Sequence, residues 1–148
     1  ITNAGYRAIK SCRLEKGYLY WSADLSPDLN PYEAGLGFAV DLDKPDFIGR
    51  DALMGIKKAG VGQKLATVTV DGCAPLIGGE TVLVNGTPVA GLTSAGYGHH
   101  LGKTIGFCYV PTDVDRTGTL EIEAYGQRHV ANFGPRCLYD ARRERVKA

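Results

Sequence analysis

Residues 81–93 read Thr-Val-Leu-Val-Asn-Gly-Thr-Pro-Val-Ala-Gly-Leu-Thr and carry the clearest fold signal in the second half of the chain. Two runs of strand-favouring residues, 81–84 and 89–93, flank the dipeptide Asn85-Gly86. Asn-Gly between two such runs is the strongest short-range hairpin signal, because both central positions of a type I′ turn need a positive φ. The stretch therefore predicts a β-hairpin.

Further strand-like runs lie on both sides of this hairpin, at 65–70, 104–110, 120–125 and 128–133. About six short strands separated by turn residues are typical of a small antiparallel Greek-key barrel or sandwich. The sequence pattern changes from helix-containing to β-like between Ala59 and Gln63. We therefore expect residues 61–148 to form a C-terminal β-barrel domain.

The first 60 residues have a different pattern. Asn3 is a suitable N-cap for a helix over 4–16, and Gly17 is suited to end that helix. Tyr6, Ile9 and Cys12 share one stripe of this helix. Turn signals over 24–31 predict a loop.

Two more elements are predicted before residue 60. Apolar residues alternate with others over 36–42, which predicts a strand with one buried face. Asp46 can cap a second helix that runs to Lys58. A lone strand leaves backbone groups unpaired, so we expect 1–60 to be the C-terminal piece of a partial α/β domain that needs preceding sequence. The predicted fold class is α+β: helix, loop, strand and helix, then the barrel.

Composition excludes several classes of protein. Of the 148 residues, 44% are hydrophobic and 22% are charged, which argues against a disordered chain or a coiled coil. The formal net charge of +1 gives no basic field for nucleic acid. No apolar run approaches the roughly 18 residues that a membrane span needs. We therefore expect neither nucleic acid nor membrane as a partner.

The four cysteines lie far apart, without a Cys-x-x-Cys pair. This spacing argues against a zinc site and a disulfide framework, and it favours free, mostly buried thiols in a reducing compartment. The chain opens on Ile1 without an initiator Met, which is more typical of a piece of a longer polypeptide.

Two motifs that often carry chemistry do not fit their functional patterns here, and one carboxylate has a structural explanation. Gly102-Lys103-Thr104 resembles the end of a phosphate-binding loop, but the glycine spacing is wrong and a strand follows. His99 and His100 are adjacent, so on a strand they point to opposite faces and cannot share a metal ion. The sequence thus predicts no metal site. For Glu15, the simplest expectation is a structural role in an ion pair with Arg13, Lys16 or Arg50.

Several strings together closely resemble the aminomethyltransferase family, which includes the glycine cleavage T-protein and the folate-binding portions of dimethylglycine and sarcosine dehydrogenases. The resemblance covers nearly the whole chain, with the motifs in the same order along the sequence. The motif residues are more similar to the dehydrogenase branch than to the T-protein. The strings are Arg13-Leu14-Glu15-Lys16-Gly17-Tyr18, Asn30-Pro31-Tyr32-Glu33-Ala34-Gly35-Leu36, Asp46-Phe47-Ile48-Gly49-Arg50-Asp51-Ala52-Leu53, Thr93-Ser94-Ala95-Gly96-Tyr97-Gly98 and Tyr109-Val110-Pro111.

The resemblance implies that the full enzyme binds tetrahydrofolate and receives a one-carbon unit at the formaldehyde level. In the dehydrogenase branch, a separate FAD-containing domain oxidises the small amine substrate (dimethylglycine, sarcosine, or a glycine-derived aminomethyl group in the T-protein). The family's catalytic aspartate and pterin-binding glutamate are expected upstream of Ile1. The resemblance therefore predicts no catalytic residue in this chain, which should be inactive alone and work with upstream domains of the same polypeptide.

Four residues are candidates for the folate site by the same resemblance. Tyr18 and Tyr139 match tyrosines beside the ligand, and Phe38 replaces a frequent tryptophan. The T-protein's folate-anchoring arginine corresponds to Ile9 here. Arg7 lies nearby as a substitute, although two positions along a helix rotate it by about 200°.

Two alternatives stay open at this point. One is a true glycine cleavage T-protein, against which Ile9 argues. The other belongs to a different class, a non-catalytic folate-binding or scaffold module, whose Lys-Gly-Cys-Tyr motif is absent because Tyr18 directly follows Gly17. The expected compartment is the cytoplasm, or the mitochondrial matrix in a eukaryote.

Overall fold

The computed structural model describes residues 3–147, and its centre is a closed antiparallel β-barrel. The strands neighbour each other in the order β1-β4-β3-β2-β5-β6. Since β2, β3 and β4 are consecutive and β1 lies beside β4, the connectivity is a Greek key, as predicted. The strands are β1 (Gln63–Asp71), β2 (Thr81–Val84), β3 (Thr87–Gly98), β4 (Lys103–Pro111), β5 (Leu120–Ala124) and β6 (Gln127–Gly134).

The hairpin at Asn85-Gly86 is confirmed. Both turn residues have positive φ, 51° for Asn85 and 77° for Gly86, and Val84 pairs with Thr87 across the turn. Tyr125 and Gly126, at 50° and 73°, make a matching turn between β5 and β6. Primed turns twist in the sense of the flanking strands, so these two short hairpins fit a tightly coiled barrel.

Strand β3 is longer than the predicted 89–93. Its pairing shifts register between Leu92 and Ser94, and beyond this irregularity the strand continues beside β4 as far as Gly98. A bulge bends a strand and increases its twist. This bend lets β3 pair with β2 at one end and with β4 at the other, which closes the barrel.

The barrel encloses one apolar core. Val68, Val82, Val110 and Ile122 are fully buried in it. A second, smaller cluster lies on the outside of the barrel, where Leu14 packs with Ile105 and Phe107.

Leu14 belongs to helix α1 (Tyr6–Lys16), which covers this second cluster. The helix begins after Gly5 rather than after the predicted cap Asn3, and it ends at Gly17 in the left-handed conformation as expected. The stripe with Tyr6 and Ile9 is exposed, because the barrel instead covers the face that carries Leu14.

The predicted strand over 36–42 is wrong. This segment forms a 3-10 turn at Gly37–Ala39, with Ala39 N–H donating to Leu36 O and Val40 N–H to Gly37 O. In the described residues no strand lies beside it to pair with its backbone. Phe38, on the expected buried face, is 85% exposed.

Helix α2 (Arg50–Ala59) starts four residues later than Asp46, after Gly49 with φ 88°. None of its residues is buried, and Ile48 just before it is completely exposed. A short helix, α3 (Glu144–Lys147), follows the barrel. Within residues 3–147, no helix combines the length and apolar character needed to span a bilayer.

All four cysteines are free thiols, but the expectation that most are buried is wrong. Only Cys108 is buried, while Cys12 and Cys73 are exposed and Cys137 is intermediate. Burial raises the pKa of the Cys108 thiol to about 12, so this thiol stays protonated and inert at neutral pH.

Candidate functional site

A buried ion pair within the front segment, residues 3–60, is hydrogen-bonded to the barrel. Arg13 Nη1 lies 2.6 Å from Asp24 Oδ2, and the two side chains are 5% and 0% exposed. The same carboxylate accepts hydrogen bonds from Tyr20 N–H at 2.9 Å and from the Thr93 hydroxyl at 2.7 Å. With both oxygens occupied, Asp24 serves as a structural anchor rather than as a general base.

Tyr109 strengthens this junction from strand β4. Its hydroxyl donates to the main-chain oxygen of Asp24 at 2.8 Å. Burial, with added repulsion from the charges of Asp24 and Glu33, raises the pKa of Tyr109 to about 12. The phenol is therefore a neutral hydrogen-bond donor at physiological pH.

Glu15 has backbone partners in place of the expected basic ones. The residue is buried, and its Oε1 accepts hydrogen bonds from His100 N–H at 2.8 Å and Leu101 N–H at 3.2 Å. No ion pair of Glu15 with Arg13, Lys16 or Arg50 exists among the described residues. Its carboxylate thereby fixes the turn between β3 and β4 against α1.

The segment after β6 wraps over the end of α1, and we name residues 135–140 the strap. Leu138 N–H and Tyr139 N–H both donate to the main-chain oxygen of Glu15 at 3.0 Å. Lys16 Nζ lies 2.8 Å from Asp140 Oδ2 and donates to Asp140 O at 2.6 Å. The strap is thus fixed at the C-terminal end of the helix.

Gly17 is required at this contact for two reasons. Its φ is 75°, and a Cβ added there would collide with the carbonyl group of Arg136. Arg136 Nε donates to Gly17 O at 3.2 Å, and its Nη1 donates to Gly35 O at 2.9 Å. One guanidinium therefore connects the strap, the end of α1 and the loop before the 3-10 turn.

Two of the four expected folate contacts meet in one groove of about 320 Å³, which we name the Tyr18 groove. Tyr18 and Phe38 contribute exposed aromatic rings to it, 54% and 85% exposed. The lining residues are Lys16, Gly17, Tyr18, Phe38, Arg136, Cys137, Ala141 and Arg143.

Tyr139 lies beside this groove, on the strap. Its ring packs edge-on against His100 with centroids 4.2 Å apart, and Lys16 Nζ lies 5.8 Å from the ring centroid. Lys16 also lines the Tyr18 groove, so it connects Tyr139 to that groove.

Arg7 lies elsewhere, in a larger groove of about 640 Å³ that we name the Tyr6 groove. Lys10 is in this groove, its Nζ donating to Ile77 O at 3.1 Å, and burial and the nearby Arg13 charge lower its pKa. The groove is lined by Tyr6, Arg7, Lys10, Ser11, Ala74, Leu76, Ile77, Ala95, Gly96 and Tyr97. The structure therefore does not bring Arg7 together with Tyr18 and Phe38.

The motif Gly102-Lys103-Thr104 has a structural role. Lys103 and Thr104 begin β4, and the Thr104 hydroxyl donates to Gly72 O at 2.9 Å and accepts from Ala74 N–H at 2.8 Å. Lys103 pairs with Asp71 at 2.8 Å. Across residues 3–147, no group of three or more His, Cys, Asp or Glu side chains is placed to hold a metal ion.

Arg136 and Asp24 are the important residues that sequence reasoning missed. Their partners lie far away along the chain, 119 residues for Arg136 and Gly17, and 69 residues for Asp24 and Thr93. No local pattern carries such a signal.

Comparison with protein-family models gives two matches in chain order. Residues 63–140 match the glycine cleavage T-protein C-terminal barrel domain, and residues 1–44 match the GCVT N-terminal domain. The first match covers the whole barrel and the strap.

Similar proteins extend well beyond this chain. Human mitochondrial sarcosine dehydrogenase is 36% identical over 156 residues, which cover 99% of this chain and 17% of that protein. 4-Methylaminobutanoate oxidase (formaldehyde-forming) of Paenarthrobacter nicotinovorans is 36% identical over 146 residues, 97% of this chain and 18% of that protein. The chain thus spans less than a fifth of the length of these relatives.

A solved structure shares the fold. The glycine cleavage system aminomethyltransferase T from Bartonella henselae superposes with a TM-score of 0.80 and 24% identity. The superposition covers 90% of this chain and 38% of that one.

Proposed function

Because the chain belongs to the glycine cleavage T-protein family, we propose that it is the C-terminal segment of a tetrahydrofolate-dependent one-carbon (aminomethyl) transferase. The enzyme is of the dimethylglycine/sarcosine dehydrogenase kind and forms methylenetetrahydrofolate. The observation that carries the proposal is the Tyr18 groove, which Tyr18 and Phe38 both line with exposed rings on a chain that matches both family models.

The residues of the groove fit a folate. Exposed aromatic faces stack on flat ring systems, which describes the pteridine and benzoyl parts of the ligand. When bound, tetrahydrofolate supplies the nitrogens that accept the one-carbon unit. The contribution of this chain is to bind and orient: Tyr18 and Phe38 form a wall, and Tyr139 supports it from the strap.

We assign the proton-transfer groups to the part of the polypeptide before Ile1. The two buried carboxylates here, Asp24 and Glu15, are already held by Arg13 and by backbone N–H groups. Orientation of the reacting groups supplies much of the rate in such transfers, so a wall without a catalytic base still contributes.

We further propose upstream domains of the same polypeptide as the partner of the front segment. Ile48 and Met54 are exposed apolar side chains, and α2 buries no residue. Covering them would remove apolar surface from water. The small amine substrate and FAD would belong to those domains, and the compartment is the cytoplasm or, in a eukaryote, the mitochondrial matrix.

Within the family, the position of Ile9 favours a dehydrogenase-type enzyme over a T-protein. Ile9 is 53% exposed and carries no charge to hold a carboxylate. An assay of the natural polypeptide with dimethylglycine, sarcosine and an aminomethylated lipoyl carrier protein separates the two.

The binding test uses folinic acid, a stable reduced folate, with the natural polypeptide that contains this chain. We expect binding by that polypeptide, and neither micromolar binding nor catalysis by the isolated 148-residue chain. Tyr18→Ala should weaken binding by about two- to tenfold, the value of one aromatic contact. Tyr125→Ala removes another exposed tyrosine, from a barrel turn, and should leave the affinity for folinic acid unchanged.

Two results would refute the proposal. One is micromolar binding by the isolated chain, since the site would then be complete without the upstream domains. The other is equal affinity of the Tyr18→Ala and Tyr125→Ala proteins.

A further inference from the structure

The Tyr18 groove carries more positive charge than a purely aromatic ligand needs. Lys16, Arg136 and Arg143 line it, and none of its described lining residues is acidic. A concave surface of one charge sign favours an anionic ligand group.

Lys16 is not available to such a group. Its ammonium is held by Asp140, at 2.8 Å from the carboxylate and 2.6 Å from the main-chain oxygen. This pair compensates the charge of Lys16, so the excess charge of the groove resides on the two arginines.

Arg136 is held rigidly but is not neutralised. Its two hydrogen bonds, from Nε to Gly17 O and from Nη1 to Gly35 O, go to uncharged oxygens and do not use Nη2. No carboxylate pairs with Arg136 among residues 3–147. The result is a fixed guanidinium with its charge uncompensated at the groove wall.

Arg143 adds a second uncompensated charge. Its side chain is exposed and forms no ion pair within the described part of the chain. Its backbone N–H donates to Asp140 O at 2.9 Å, in a turn where Arg143 has φ 59°. This turn folds the chain back after the strap and brings Arg143 to the groove.

We propose that Arg136 and Arg143 bind the carboxylates of the glutamyl tail of the folate, while Tyr18 and Phe38 contact its rings. Guanidinium groups recognise carboxylates through paired hydrogen bonds, and two of them fit a tail that carries at least two carboxylates. The inference rests on the proposed function, because it assigns the orientation of the ligand in the same groove. It places the tail anchor here and not at Arg7, which lies in the Tyr6 groove.

The test compares two ligands on the natural polypeptide, folinic acid and 5-formyltetrahydropteroate, which lacks the glutamate. We expect the unmodified protein to prefer folinic acid. Arg143→Ala should weaken folinic acid binding about tenfold or more and leave the affinity for the tail-less ligand unchanged. Arg7→Ala, the matched control in the other groove, should change neither Kd.

Each remaining outcome overturns the inference. Equal loss for both ligands in Arg143→Ala would assign Arg143 a structural role. Unchanged binding of both ligands in that variant would place the tail elsewhere, and so would equal affinities of the unmodified protein for the two. If the unmodified protein binds neither ligand, the proposed function itself fails and this inference fails with it.

Discussion

In the barrel, Ile122 has no exposed surface, whereas Ile48 in the front segment is fully exposed. The sheet of the barrel closes around one core, in which the apolar side chains pack against one another. The front segment has no comparable core: α1 packs on the outside of the barrel, and α2 buries nothing. One half of this chain is therefore a finished unit with its own core, while the other half is ordered by contact with it.

The Asp24 anchor is where this dependence can be broken most severely. Asp24→Ala leaves Arg13 buried without its partner, and we expect the free energy of unfolding to fall by about 3–5 kcal/mol. Asp71→Ala breaks the exposed pair with Lys103 and should cost at most about 1 kcal/mol. Urea unfolding of the 148-residue chain, followed by circular dichroism, measures both. Similar small losses in the two variants would show that the front segment does not rely on Asp24.

The contrast between the two isoleucines gives the next largest effect. Ile122→Ala removes a fully buried side chain and should destabilise the chain by about 2–5 kcal/mol. Ile48→Ala should stay within about 0.5 kcal/mol in the isolated chain, since no contact is lost. The same urea unfolding experiment measures the stability of both variants. A large loss in Ile48→Ala would contradict the division into a finished and an unfinished half.

A smaller, pH-dependent effect on stability is expected at the strap, where the front segment meets the chain that follows the barrel. The hydrogen bond from Lys16 holds the pKa of Asp140 below its ordinary value of 3.8. A carboxylate with a lowered folded-state pKa stabilises the protein above its unfolded pKa, and this contribution disappears as the pH falls through the folded value. We therefore expect Asp140→Asn to be less stable than the unmodified chain at pH 7, with the difference shrinking as the pH falls below the ordinary pKa of 3.8 and through the lowered folded-state pKa.

Thermal melts between pH 7 and pH 2.5 test this expectation. Asp51→Asn, at a 96% exposed side chain with a weak 3.8 Å contact to Arg50, is the control and should give no difference at any pH. A constant difference between Asp140→Asn and the unmodified chain down to pH 2.5 would contradict a role for the charge of Asp140.

The barrel was predictable because its signals are local. Asn85-Gly86 defines its own turn, and the strands on either side have the composition of β-structure wherever they pair. The extension of β3 to Gly98 was not predictable, since it depends on a bulge between Leu92 and Ser94. The alternation over 36–42 predicted a strand wrongly, because a strand also needs a neighbour to pair with. Among the described residues, no strand lies beside this segment.

The candidate site was predictable only in part. Resemblance named Tyr18, Phe38, Tyr139 and Arg7 one at a time, without saying which of them share a surface. Their grouping depends on contacts between distant parts of the chain, such as the strap on α1. The same applies to Glu15, whose partners are the backbone N–H groups of a turn 85 residues away. Backbone partners cannot be identified from a sequence, because nearly every residue carries the same N–H group.

The closure of the barrel is uneven, and this affects the site. Strand β1 pairs with β4 at nine positions but with β6 at three, Thr67–Thr69 against Asn132–Gly134. Gly134 is the last residue of this short clasp, and the strap that carries Tyr139 and Arg136 begins immediately after it. A transient opening of the clasp would free the root of the strap, so the seam with the fewest paired residues lies at the base of the segment that covers the end of α1. The three residue pairs of the clasp thereby restrain the root of the strap, and with it Arg136 and Tyr139.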